Sequence, residues 1–274
     1  ASTGAESVAV IDTAALFSDR DLDGSYDESA AVHIQLEGET AVCDSDAVSI
    51  DGSRITLLDE GTYLVSGALT DGQIVVDAGD TDKVQIVLAG ASLTCADSAA
   101  IYSKSVDKVF LTLAEGTENT LTNGGSYTAI DKNNIDSVVF SKTDLTINGS
   151  GSLTINAQAG HGVVSKDELT ITGGSYTVTA AEHGMTGKDS LAVAGGDFTI
   201  ISGKDGLHAE NADDSALGFL YVADGTFTIT AQGDAVSASG ALQVDGGTFD
   251  LTTGEGSASV TMSTGDSFGP GGMG

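Results

Sequence analysis

Tryptophan is absent from this 274-residue chain, proline occurs once and cysteine twice, and only ten residues are basic. Against those ten stand 40 Asp and Glu, a net charge of −30. Nothing can neutralise a run of phosphates, so nucleic acid is excluded as a partner. An anionic membrane surface is disfavoured for the same reason. No apolar run approaches the ~20 residues of a membrane span, so direct membrane insertion is not expected. No leader opens the sequence, and because leaders are removed this does not argue for the cytoplasm. Gly-x-Ser-x-Gly elbows, phosphate-binding loops and dinucleotide fingerprints are missing. Without tryptophan, any aromatic stacking on a ligand falls to tyrosines such as Tyr102, Tyr127 or Tyr221.

What the chain has is glycine, 37 of them, and a repeat. Leu169-Thr-Ile171, Gly173-Gly174 and Tyr176-Thr-Val178 form one copy. Leu191-Ala-Val193, Gly195-Gly196 and Phe198-Thr-Ile200 form the next, and copies follow at Leu220 and Leu242. Apolar residues two apart mark short strands with one buried face. A fixed period of about 22 residues marks a solenoid. The expected fold is all-β: a single-stranded, right-handed parallel β-helix of about nine turns. Earlier copies are read at Leu145, Leu111, Ile86, Ile55 and Ile34, with loop insertions near 66–83, 131–144 and 211–218. Residues 32–265 then form the coil, 1–31 an N-terminal cap over its open end, and 266–274 a flexible glycine-rich tail.

The same arithmetic places Cys43 and Cys95 in one inward column, with Leu64 between them. Two turns separate them by about 9.6 Å, beyond the ~7 Å between Cα atoms that a disulfide allows. Two buried free thiols are expected.

Two constellations carry candidate chemistry. Asp19, Asp21, Asp23 and Asp27, with Gly24, fall at positions 1, 3, 5, 9 and 6 of a calcium loop, although position 12 is Ala30. The second is a file across coils. His161, His183, Asp205 and Asp234 each precede a small and then an apolar residue, so stacking sets them on one corner. Further along each turn come Lys166, Lys188, Glu210, Asp189 and Asn211. This polar stripe is expected to bind calcium, saccharide or both. Zinc would want a third His or a Cys at ligand spacing. Lys166 and Lys188 are the only basic residues of the stripe that β-elimination of a uronate could use.

Phe17-Ser-Asp-Arg-Asp21 with Tyr26-Asp27, the Gly-Gly strand pairs, and the Asp-Gly-apolar and Gly187-Lys188-Asp189 corners resemble those of the cell-surface carbohydrate-binding β-helix proteins of Gram-positive anaerobes, fold relatives of pectate lyases. The resemblance covers about residues 16–265. It implies a non-catalytic, calcium-binding adhesin, extracellular on a bacterial surface, for plant cell-wall polysaccharide such as polygalacturonate or cellulose. Asp205 and Asp234 match that family's Asp-Gly corner, and His161 and His183 replace the Asp in theirs. The alternatives are a pectate-lyase-type enzyme, a structural surface spacer, or an ice binder. The last would use the outward Thr177-Val-Thr179 and Thr228-Ile-Thr230 ladder, which Ile201 and Asp250 interrupt.

Overall fold

The computed structural model describes residues 11–128, 131–214 and 216–254. Two long, mainly parallel sheets wind into an all-β solenoid whose coils each lay down three strands. The first face, here the leucine face, contains Lys108–Leu113, Asp144–Gly149, Glu168–Ile171, Ser190–Val193, Phe219–Val222 and Leu242–Val244. The second, the threonine face, contains Glu118–Asn123, Ser152–Ala157, Ser175–Ala180, Asp197–Ser202, Thr226–Ala231 and Thr248–Thr253. The long strand Lys83–Cys95 crosses both and fuses them into one sheet. The third face runs from Gln73–Asp77 through Ile101–Ser105, Ser137–Ser141, His161–Ser165, Met185–Gly187 and Leu207–Ala209 to Val236–Ala238.

Like stacks on like because neighbouring coils are in register. Leu145, Leu169, Leu191, Leu220 and Leu242 pair in one row. Tyr176, Phe198, Phe227 and Phe249 form an inner aromatic file with ring centroids 4.9, 4.7 and 4.7 Å apart. That spacing is the strand separation itself. Burying each such side chain contributes about 1.5–3 kcal/mol.

The third strand per coil corrects several of the expectations above. The Ile55-Thr56-Leu57 segment lies on the third face, paired with Ile74, Val75 and Val76. Its place on the leucine face belongs to Tyr63-Leu64-Val65, where Val65 pairs with Leu88. The expected insertions at 66–83 and 131–144 instead contain third-face strands, which carry no Gly-Gly signal. Residues 211–214 and 216–218 lie in a loop. Leu145 pairs with Val109, two residues from the Leu111 expected. Leu64 points outward, packed with Val87 and Tyr26 rather than in the core. Both thiols are free, but only Cys95 is buried. Cys43 follows the antiparallel hairpin of Val32–Gly38 with Ala41–Val42 and packs half-buried against the end of the core.

Nor does the described part of the N-terminal segment, residues 11–31, cover the coil end. It runs as a strap along the outer side of the leucine face. Phe17 meets Tyr221 at 6.1 Å, and Ser25 accepts from Gln85 at 3.2 Å. Ser18 caps the short helix Asp19–Leu22 in a reciprocal box with Asp21. The strap explains why Thr112, Thr146, Asn148 and Thr170, outward on their strands, are buried. Contact is close enough that a Cβ on Gly24 would lie 2.8 Å from the backbone nitrogen of Gly149. Described residues end at 254, so the tail 266–274, like Ala129 and Ile130, lies outside them.

Asp21 fastens the strap. Its carboxylate faces Lys108 at 2.7 Å, accepts from Thr146 at 2.5 Å and from Ser18 at 2.6 Å, and is almost fully buried. Asp21→Ala leaves the Lys108 ammonium without its counter-charge, so a loss of about 3–5 kcal/mol is expected. Urea unfolding at neutral pH measures it, and a loss below about 1 kcal/mol would place the strap's stability elsewhere.

Candidate functional site

The corner leading into the third face is built from one repeated device. Each coil offers a side-chain acceptor to the backbone N–H of the next. His183 donates its N–H to Nδ1 of His161 at 3.1 Å, Asp205 to Nδ1 of His183 at 3.1 Å, and Asp234 to Oδ1 of Asp205 at 2.8 Å. The structure thus stacks His161, His183, Asp205 and Asp234 in one file. Because Nδ1 accepts, each neutral imidazole carries its proton on Nε2. That of His161 faces Glu182 at 3.2 Å.

The sequence reading missed His208. It lies outward on Leu207–Ala209, and its ring stacks on His183 at 4.1 Å, which in turn stacks on His161 at 5.1 Å. Nδ1 of His208 is 2.9 Å from Oδ2 of Asp205 but not aligned for a hydrogen bond. The Asp-x-x-His spacing from Asp205 was its only signal. Among the described residues, His183, Asp205 and His208 are the one trio of potential ligand atoms within 4.8 Å of one another. Two nitrogens with one oxygen do not suit calcium, which takes oxygens.

An oxygen cluster lies on the other side of the same strands. Asp167 and Asp189 meet carboxyl to carboxyl. Burial, and then the hydrogen bond it shares with Asp189, push Asp167 up to about 6. Asn211 donates Nδ2 to Asp189 at 2.6 Å and accepts from the backbone of Asp213 and Asp214 at 2.9 Å each. Glu210 is exposed beside His208.

Other candidate residues have other partners. Lys166 faces Asp136 at 3.8 Å and lies over the Phe140 ring. Lys188 faces Asp213 at 3.2 Å. Tyr102 is fully buried, donating to Asp131 at 2.7 Å, so no sugar can stack on it. Tyr127 is half-buried, with its hydroxyl on the Ala159 carbonyl, and Tyr221 is buried and donates to Asp245. The acidic loop does not converge. Asp19 opens the short helix, Asp21 fastens the strap, Asp23 accepts from the Ser25 backbone and Asp27 from that of Ser29. Each serves its own turn because the chain here is an extended strap, not a loop wrapped about a point.

Burial drives both file histidines down to about 4, from 6.5. Between those values the unfolded chain binds protons that the native chain does not, so these residues contribute stability above pH 6.5 that is lost as pH falls toward 4. Asp167 has the opposite slope, because its raised value lets the native state hold a proton between about 4 and 6. The double variant His161→Asn/His183→Asn keeps an acceptor where each Nδ1 stood. Its melting temperature is expected to fall less than that of the wild type between pH 7 and pH 4.5. Parallel curves for the two proteins would refute the burial argument.

Comparison with known proteins agrees with this architecture. A model of the carbohydrate-binding domain-containing protein family matches residues 51–274. A carbohydrate-binding domain-containing protein of Acetivibrio thermocellus is 39 % identical over 137 residues, 49 % of this chain and 48 % of that protein. The chain therefore spans about half the length of that relative. The solved structure of a polysaccharide lyase-like protein from C. thermocellum, a gadolinium derivative, superposes with a TM-score of 0.73 at 34 % identity, over 81 % of this chain and 94 % of that one. With a family model spanning most of its length, the chain belongs to the carbohydrate-binding domain-containing protein family.

Proposed function

We propose that this protein is an extracellular, bacterial cell-surface adhesin for plant cell-wall polysaccharide, binding acidic glycans such as polygalacturonate through calcium held at the Asp167, Asp189 and Asn211 corner. The observation that carries this reading is the convergence of Asp167 and Asn211 on Asp189, with Asn211 at 2.6 Å and the Asp167 carboxyl pushed up to about 6 by burial and by its neighbour. A neighbouring carboxylate makes ionisation harder unless a positive charge lies between the two. Calcium, which prefers several oxygens and tolerates irregular geometry, would supply that charge. Asp167 and Asp189 supply the carboxylate oxygens, and Asn211, which donates Nδ2 to Asp189, holds that carboxylate in place. Glu210, Asp205 and Asp234 extend the negative edge, and Asp19, Asp23 and Asp27 have no part in it.

The ion supplies the positive charge that a polyuronate needs to approach a chain of net charge −30. Binding, not elimination, is the favoured activity. Lys166 and Lys188 are each held by a carboxylate, and neither is positioned as a free base. Membership of a carbohydrate-binding family supports the same choice.

Calorimetry with calcium on EDTA-stripped protein, followed by polygalacturonate pull-down with and without the ion, tests the reading. Calcium uptake is expected at pH 7.5, with at least a tenfold loss of affinity, about 1.4 kcal/mol, in Asp189→Asn. Polygalacturonate retention that is unaffected by EDTA would remove calcium from the mechanism.

A further inference from the structure

The three faces of the coil are not equally open. The strap covers the leucine face. The outward side of the third face is filled in its first half by Val75, Tyr102, Ile135, Phe140 and Val164, with Tyr127 packed over them. The threonine face has no cover among the described residues. Its strands Ser175–Ala180, Asp197–Ser202 and Thr226–Ala231 alternate exposed and buried residues throughout.

What faces outward there is a two-row lattice. Thr120, Thr154, Thr177, Thr199 and Thr228 pair strand to strand in one row. Two residues further on, Thr122, Asn156, Thr179, Ile201 and Thr230 pair in a second. Strand spacing and residue rise set the lattice at about 4.8 Å along the coil and about 6.8 Å between rows, and the first row runs about 19 Å. A shallow trough of about 450 Å³ lies over it. Thr177, Thr199 and Thr228 make no side-chain hydrogen bond to the described residues, so their hydroxyls are free.

We infer that this bare threonine face is the docking surface for a neutral, flat, β-linked glucan, separate from the acidic corner. The inference rests on the polysaccharide-binding reading and assigns the uncharged glycan to a different face from the charged one. Charge selects the occupant. The two rows carry no ionised group over the five strands from Glu118–Asn123 to Thr226–Ala231, on a chain of net charge −30. Glu118 and Asp197, just outside the rows, would repel a polyuronate, and no Lys or Arg offsets them. A neutral chain of hydroxyls meets no such penalty.

Shape agrees. Threonine presents a hydroxyl beside a methyl, as a flat sugar ring presents equatorial hydroxyls beside axial C–H groups. Ile201, 54 % exposed, adds an apolar contact in the second row. Threonine is stiff at χ1, so the lattice is ordered before the ligand arrives and little side-chain freedom is lost on binding. This recognition needs no exposed aromatic ring, and Tyr176, Phe198 and Phe227 point inward.

The test is a depletion isotherm on microcrystalline cellulose, run beside polygalacturonate retention in calcium. Thr177→Val/Thr199→Val/Thr228→Val removes three hydroxyls while keeping shape and strand preference. Thr199→Glu places a carboxylate mid-face. Both variants are expected to lose at least tenfold in cellulose partitioning, with polygalacturonate retention and melting temperature unchanged. Cellulose retention that is unchanged or raised in both variants would overturn the assignment. Wild-type retention on polygalacturonate but not on cellulose would also overturn it while leaving the polysaccharide reading standing. Failure of the wild type on both polymers would remove that reading with it. Thermal hysteresis without cellulose retention would give the face to ice and overturn the glucan assignment.

Discussion

Parallel register at one strand spacing is the constraint on which the rest of this molecule depends. Each coil satisfies its backbone on the coil before and the coil after, so every side chain sits about 4.8 Å from its counterparts. Apolar residues gain from this, as the leucine row and the aromatic file do. Charges do not, because like charges stacked directly opposite repel. A chain with 40 acidic residues must therefore place its carboxylates where the register is broken or where a donor intervenes.

The corner file solves that problem. Asp205 and Asp234 are consecutive in the stack, yet the Asp234 N–H reaches across to the Asp205 carboxylate. The two histidines below do the same with Nδ1 and stay uncharged. Where no backbone donor reaches the carboxylates, at Asp167 and Asp189, burial and the neighbouring carboxyl push Asp167 up instead. The same stacking rule thus yields a hydrogen-bonded file in one place and a close carboxyl pair in another. The chemistry of the corner follows from the geometry of the coil, with no dedicated loop.

Much of this was legible in the sequence. The period, the Gly-Gly turns and the two-residue alternation identified the solenoid and two of its faces. They also aligned His161, His183, Asp205 and Asp234. The third face stayed hidden because its strands, such as Ser137–Ser141 and Met185–Gly187, are short and lack a glycine pair. Ile55-Thr-Leu57 was therefore counted on the wrong face, and true strands were read as insertions. The acidic strap was misleading for a related reason. Asp19, Asp21, Asp23 and Asp27 have calcium-loop spacing, but spacing fixes a site only if the backbone curls. Here the partners that hold the backbone extended, Asn148 and Thr172, lie more than a hundred positions away. His208 had no repeat partner to announce it.

The strap gives the leucine and threonine faces their different characters. A β-helix face left bare must be either safe in water or useful. By lying along the leucine face, the strap buries outward threonines that would otherwise form a second hydroxyl lattice. Thr146 and Thr112 are fully buried, Thr146 donating to Asp21 and Thr112 to Asn148. The unstrapped threonine face keeps the hydroxyls of Thr177, Thr199 and Thr228 unpaired among the described residues. The two faces begin from similar strand sequences, Leu-Thr-Ile and Phe-Thr-Ile. One becomes an internal seam and the other an open surface because the N-terminal segment, fastened by buried Asp21 together with Asn148 and Thr172, lies along one of them. Exposure, not residue type, separates them, and sequence periodicity carries no record of it.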